Sequence, residues 1–171
     1  MSAGGDSAAE GAPADRLAII EQIYRYCRSV DRLDVPLGHR VFHVDATVAF
    51  PAYDGTGRGW IDFICEEHRK FLHHSHQVTN VVLELAADKA GSEAYVTATL
   101  RQRVEDGRIM QHQIWARYID SWSKREGRWA IDKRECVIDF DEVREVTPIR
   151  EHPRARRDRN DPSYAVLEKP R

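Results

Sequence analysis

The chain has 171 residues, 42% of them hydrophobic and 32% charged, which suits one globular domain with a substantial core and excludes a disordered or collagen-like chain. Its 26 Lys and Arg against 28 Asp and Glu leave a formal net charge of -2, so no global field draws it to nucleic acid or anionic lipid. No apolar run approaches the roughly 20 residues that span a bilayer, and Met1–Asp15 lacks the basic flank and apolar centre of a signal peptide. The expectation is a cytoplasmic protein with no nucleic-acid or membrane partner. Cys27, Cys65 and Cys136 are odd in number and show no CxxC pairing, so they read as reduced, partly buried thiols.

Residues 1–14 are mostly Ala, Gly, Ser and Pro, a composition that cannot offset the entropy of ordering and predicts an unstructured leader. A domain is expected over 15–145. Its first helix starts at Asp15 as N-cap, with Leu17, Ile20, Tyr24, Cys27 and Asp31 on one face at steps of three and four. Asp31 stands on that stripe where an apolar residue is expected. After Pro36 and Gly38, "LGHRVFHVDATVAF" reads as a short helix leading into a strand at Thr47–Phe50. "PAYDGTGRG" reads as a loop whose glycines lack the GxGxxG spacing of a nucleotide fingerprint. A third helix follows over "WIDFICEEHRKFLHH", with Ile61, Ile64, His68 and Leu72 in period.

The second half is rich in β-branched and aromatic residues and predicts strands at Val78–Leu85, Ala94–Val104, Ile109–Trp122 and Arg128–Phe140, joined by Gly-containing turns. Helices followed by an antiparallel meander indicate α+β, with the helices on one face of a curved sheet. Residues 146–171 are Arg- and Pro-rich and read as a charged tail, or as an arm reaching across to a neighbouring subunit. Asp158 and Asp161 interrupt its basic run, and no interleaved aromatics offer stacking to a nucleic acid.

"ADRLAIIEQIYRYCRSVDRLD", "DATVAF", "HHSHQVTNVVLEL" and "ARYIDSWSKREGRWAIDKR" together resemble the SnoaL-like branch of the nuclear-transport-factor-2-like (NTF2-like) superfamily. The resemblance implies a cone-shaped α+β barrel, three N-terminal helices packed into a strongly curved, mainly antiparallel sheet around a pocket. It also implies a homo-oligomer, dimer or trimer. It is nearest to lyases of the scytalone dehydratase and hexachlorocyclohexane dehydrochlorinase type, in which an Asp near the end of the first helix and a His just before the junction of the third helix with the next strand form a dyad. Asp31 in "SVDRLD" and His76 in "SHQVTN" match those two positions, and Arg134 in "WAIDKR" matches an arginine of the dehydrochlorinase. Tyr26 stands where that enzyme has a lysine.

The chemistry of the matched residues supports the same reading. A neutral imidazole is a base near neutral pH, and a carboxylate on its other nitrogen fixes its tautomer and stabilises the imidazolium. His76 is therefore the candidate base and Asp31 its orienter. Arg134, always charged, is assigned to the pocket wall to stabilise developing negative charge. Tyr24, about two turns before Asp31 on the same stripe, is a candidate proton donor. Tyr26, Trp60, Phe71, Trp115 and His112 are candidate substrate-binding residues, which suits a small hydrophobic or aromatic substrate.

No organic cofactor is required by this set. His73, His74 and His76 raise a metal reading, but their spacing matches no standard ligand motif, so no metal is expected. The functional expectation is a cofactor-independent lyase that eliminates water, or formaldehyde, from a hydroxylated aromatic, polyketide-like or alicyclic molecule. The alternatives are an isomerase or cyclase on the same base, and a non-catalytic ligand-binding module or the β-subunit of a ring-hydroxylating dioxygenase.

Overall fold

The computed structural model describes residues 6–150 and 152–167. In chain order it contains α1 (Asp6–Asp31), α2 (Val35–Val41), β1 (Phe42–Phe50), β2 (Tyr53–Thr56), α3 (Gly57–Glu67), a 3-10 turn (His68–Lys70), β3 (His73–Ala86), β4 (Lys89–Arg103), β5 (Ile109–Arg125), β6 (Arg128–Glu145) and α4 (Pro162–Leu167). The six strands form one sheet in the order β2-β1-β6-β5-β4-β3. Every neighbouring pair is antiparallel except β1 and β6, which run parallel. Helices α1 to α3 lie on its concave face, the expected α+β arrangement. Among the described residues no helix is long and apolar enough to cross a membrane.

α1 buries Ile19, Ile23, Tyr26 and Val30 completely or nearly so, a stripe displaced from the one expected from Leu17, Ile20 and Tyr24. Leu17 is 68% exposed and Tyr24 52% exposed. The two stripes share the helical period, and only packing against the sheet decides which one turns inward. Cys27 is buried with the core, and Asp31 lies half-buried at its edge. α1 also starts earlier than expected, at Asp6, and runs through Pro13, so the predicted leader overlaps helical residues; residues 1–5 lie outside those described. Asp15 is no N-cap: its carboxylate accepts from Lys124 Nζ at 2.9 Å and Trp129 Nε1 at 2.7 Å, tying the helix to the β5–β6 hairpin.

α1 stops in a Schellman motif: Leu33 takes φ 53°, Leu33 N–H donates to Val30 O and Asp34 N–H to Ser29 O. Asp34 then caps α2 by accepting from Leu37 N–H. The tight reversal fixes Asp31 as the last residue of α1, aimed at the sheet. α3 approaches β1 closely at Gly57, where a Cβ would lie 2.5 Å from the Phe42 ring, so only glycine fits.

Other expectations change too: Pro36 and Gly38 lie inside α2 rather than before it, and β1 begins at Phe42 rather than Thr47. The Gly-rich segment after Phe50 contains the short edge strand β2, which depends on pairing with β1 rather than on its own propensity. The third helix ends at Glu67, and His73 and His74 belong to β3. The C-terminal segment is an arm that folds back onto its own chain: Tyr164 is buried and its hydroxyl donates to Asp34 Oδ2 at 2.9 Å.

Candidate active site

Asp31 occupies the C-terminal end of α1, where the helix dipole disfavours a carboxylate. Three hydrogen bonds from β3 hold it there. Oδ1 accepts from His76 Nδ1 at 2.7 Å and from His74 Nδ1 at 3.3 Å, and Oδ2 accepts the backbone N–H of His76 at 3.0 Å. Burial alone would raise the Asp31 carboxyl, but the bonds from His74 and His76 outweigh it and hold the group at about 2.

His74 and His76 meet the same carboxylate because residues two apart share a strand face. A bulge between Val78 and Val81 then shifts the phase, so Val81 and Leu83 continue the inward row while Val82 points out. His74 Nε2 lies 3.0 Å from Arg157 Nη1 of the C-terminal arm. A guanidinium can only donate, so Nε2 is the bare nitrogen and Nδ1–H points at Asp31. Burial, helped by His76 and Arg157, lowers the His74 pKa against the pull of Asp31. His68, in the 3-10 turn, stacks near-parallel with His76 at 6.2 Å and sits 4.7 Å from His74 between ring centroids. Burial, then the neighbouring His74 and His76, pushes its pKa down to about 3, so it stays neutral.

His76 separates two spaces. Outside lies a cleft of about 290 Å³ bordered by Tyr24, Cys27, Arg28, Asp31, Arg32 and Val78. Inside lies an apolar cavity of about 200 Å³, walled by Tyr26, Phe50, Trp60, Ile64, Val96, Leu100, Ile114 and Tyr118, with His68 and His76 as its basic groups. This is smaller than the roughly 300–1,000 Å³ of drug-sized sites and suits a single-ring molecule. A larger, more polar cleft of about 630 Å³ runs between α1, α2 and α4 past Arg25, Arg28, Arg40 and Tyr164. Among the described residues that line it there is no histidine–carboxylate pair.

The structure sorts the residues singled out from sequence. Asp31 and His76 are in contact, and Tyr26 and Trp60 wall the cavity; Trp60 Nε1 donates to the Tyr26 hydroxyl at 2.8 Å. Tyr24 opens onto the outer clefts rather than the cavity, because the buried stripe of α1 is the neighbouring one. Phe71 and His112 stack edge-on with each other at 5.9 Å, outside the cavity lining. Trp115 lies on the opposite sheet face from Ile114 and Ala116 and stacks on Phe140. Arg134 is not at the wall. It is fully buried one layer behind it, 4.1 Å from the Tyr26 ring and 4.2 Å from the Tyr118 ring, with Nε and Nη2 each 2.7 Å from an oxygen of Asp120.

His68 and Arg157 escape a sequence reading, since neither stands in a motif and Arg157 is distant in sequence from the groups it meets. His74 is readable only through its two-residue step from His76. The three cysteine thiols are raised by burial, Cys27 to about 12 and Cys65 and Cys136 to about 11, which makes them inert.

Asp31, His74 and His76 also place three ligand atoms within 4.8 Å of one another. The hydrogen-bond pattern does not fit a metal site. A metal-binding histidine donates its second ring N–H outward, whereas His74 presents its second nitrogen to the N–H of Arg157. A cation at Nδ1 would force a proton onto Nε2 against that guanidinium.

Residues 12–135 match the SnoaL-like domain. The chain belongs to the SnoaL-like family, within the NTF2-like superfamily. No curated protein matches it in sequence. Among solved structures, this SnoaL-like chain is similar to hexachlorocyclohexane dehydrochlorinase LinA-type3 from Novosphingobium barchaimii, with 20% identity, 85% of this chain and 99% of that one covered, and a TM-score of 0.68. A candidate scytalone dehydratase from Novosphingobium aromaticivorans gives 21% identity, coverages of 84% and 99%, and a TM-score of 0.68. The protein Kfla4162 from Kribbella flavida gives 20%, 77% and 95%, and 0.69. At these identities the likeness is one of fold. The SnoaL-like match holds Asp31 and His76 but ends before Arg157.

Proposed function

We propose that this SnoaL-like protein is a cofactor-independent lyase acting on a small hydroxylated aromatic or alicyclic molecule. The observation that supports this best is the 2.7 Å bond between Asp31 and His76 Nδ1 beside an apolar cavity that His76 itself lines. With Nδ1–H committed to Asp31, Nε2 carries the free lone pair and is the base. It takes a proton from a substrate carbon next to a carbonyl or aryl group. The C–H electron pair becomes the new C=C bond, the C–O bond on the adjacent carbon breaks, and the departing hydroxide takes the proton back from the imidazolium and leaves as water. Asp31 holds the imidazolium charge between the two transfers.

Tyr24 faces away from the cavity, so returning the proton through His76 makes a second acid unnecessary. Arg134 stands behind Tyr26 and Tyr118, paired with Asp120, so it is no ligand of the leaving group and can reach the cavity only through the field of that ion pair. Tyr26 and Trp60 clamp the ring of the substrate, and the apolar wall excludes water.

The test is to incubate the protein in D2O with a panel of single-ring β-hydroxy ketones and dihydrodiols, following both water loss and deuterium uptake at carbon. Wild type should eliminate and His76→Ala should do neither. Deuterium uptake without elimination would convert the reading to an isomerase on the same base. Turnover unchanged in His76→Ala would remove the dyad from the mechanism.

A further inference from the structure

The arm after β6 lies outside the SnoaL-like match, yet it is fastened across the end of α1. Arg28 Nη1 donates to Ser163 Oγ at 3.0 Å, Arg32 Nε lies 3.6 Å from Asp161, and Tyr164 donates to Asp34. The guanidinium of Arg28 also sits 4.9 Å over the Tyr164 ring. These anchors follow Arg157 closely and bring it to the mouth of the site. Its Nη1 carries two N–H groups, and both are used: one donates to the carbonyl of His68 at 2.8 Å, the other to His74 Nε2 at 3.0 Å.

We propose that Arg157 is a positioning residue that locks His74 as a neutral Nδ1–H donor to Asp31, and so reserves the carboxylate's charge for His76. Its mechanistic weight rests on the elimination reading above; the tautomer assignment does not. His74 is faced by Asp31 from α1, His76 from its own strand, His68 from the 3-10 turn and Arg157 from the arm, with Arg69 behind Arg157. Asp31 is the one carboxylate in that group. A proton on His74 Nε2 would make an imidazolium bonded to Asp31, and the carboxylate would then be neutralised before His76 has taken any proton from a substrate. The guanidinium prevents this twice, by occupying the Nε2 lone pair with a donor and by repelling a second positive charge.

The His68 carbonyl supplies the counterweight. Its bond fixes the guanidinium plane, so that the second N–H of Nη1 is aimed at the imidazole rather than free to rotate. The arm therefore completes a chain of fixed hydrogen bonds in which Arg157 donates to His74, and His74 and His76 both donate to Asp31; the donor-only guanidinium sets the direction at His74, and the acceptor-only carboxylate sets it at His76.

The experiment is a pH titration of the full chain labelled with 15N-histidine, reading the two ring nitrogens of His74 by long-range proton–nitrogen NMR. The wild type should show Nδ1 protonated and Nε2 bare, and His74 should titrate below the ordinary histidine range. Arg157→Met should move the His74 titration upward by about one unit or more, and Arg157→Lys, which keeps a donor and a charge, should restore much of the wild-type behaviour. A wild-type His74 carrying its proton on Nε2 overturns the proposal without any variant. So does an Arg157→Met titration that matches the wild type. A failure of the elimination reading shows elsewhere, as turnover retained in His76→Ala, and leaves the tautomer result standing.

Discussion

Asp31 grips His76 at two points, accepting its ring Nδ1–H on one oxygen and its backbone N–H on the other. The ring bond sets which nitrogen is the base, and the backbone bond fixes where the strand places it. Asp31→Asn keeps the shape but loses the charge that stabilises the imidazolium, and its amide N–H can confront a ring N–H. Turnover on any substrate found should fall about 10²–10⁴-fold, while the far-ultraviolet circular dichroism stays that of wild type. A fall of less than about threefold would show that the carboxylate is structural only.

Buried neutral imidazoles make the fold acid-sensitive. His68 titrates near 6.5 when unfolded and is held at about 3 when folded. For a histidine with a lowered folded pKa, the unfolded state binds more protons as pH falls below 6.5, so stability drops through the window from about 6.5 to 3 and is unaffected above it. The slope from His68 alone is about 1.4 kcal/mol per pH unit in the lower part of that window. Asp31 acts lower, its contribution fading as pH falls from 3.8 towards 2. Urea unfolding at pH 7, 6 and 5 should show stability falling, and His68→Phe should flatten the fall; equal slopes in the two proteins would refute the assignment.

What the sequence makes legible depends on how local the cause is. β4, β5 and β6 announce themselves by β-branched and aromatic runs between turns, and their register follows from hairpins such as Glu126–Gly127, both at positive φ. The facing of α1 does not, because Leu17 and Ile20 carry the same period as Ile19 and Ile23 and only the sheet chooses between them. Asp31 and His76 are readable through the family pattern. Arg134 matches that pattern in sequence yet stands behind the wall, since its partner Asp120 on the neighbouring strand draws it inward. Arg157 meets His74 across a separation of 83 residues, and no periodicity or spacing carries that.

Two tryptophans that look alike in sequence should behave differently. Trp60 stacks on Phe50 at 3.7 Å between centroids, donates to Tyr26 and walls the cavity. Trp60→Phe removes the donor and leaves the Tyr26 hydroxyl short of a partner, which costs about 1–2 kcal/mol and should raise KM for an aromatic substrate several-fold. Trp115 stacks on Phe140 on the opposite sheet face. Trp115→Ala should leave KM and kcat as they are and cost about 0.5–1.5 kcal/mol of stability. Steady-state kinetics beside urea unfolding separates the two, and a kinetic effect of Trp115→Ala would contradict the strand phase.

The buried ion pair behind the cavity should show the largest stability response in the molecule. Arg134 and Asp120 are 0% and 3% exposed and meet through two parallel 2.7 Å bonds, while Arg134 Nη1 has no hydrogen-bond partner. Burial lowers the guanidinium's affinity for its proton, but the charge of Asp120 and the two bonds to it outweigh that and leave it raised. Removing one partner strands the other charge in a low-dielectric interior between Tyr26 and Tyr118, so Asp120→Ala should cost about 3–5 kcal/mol. Replacing both, as Asp120→Leu with Arg134→Met, removes the stranded charge and should recover most of that loss. If Arg134 also biases the cavity towards developing negative charge, the double variant should be stable yet slow. Urea unfolding decides the first point: Asp120→Ala within about 1 kcal/mol of wild type would mean that water reaches the pair. Turnover of the double variant decides the second, with a wild-type rate showing that the charge serves the fold alone.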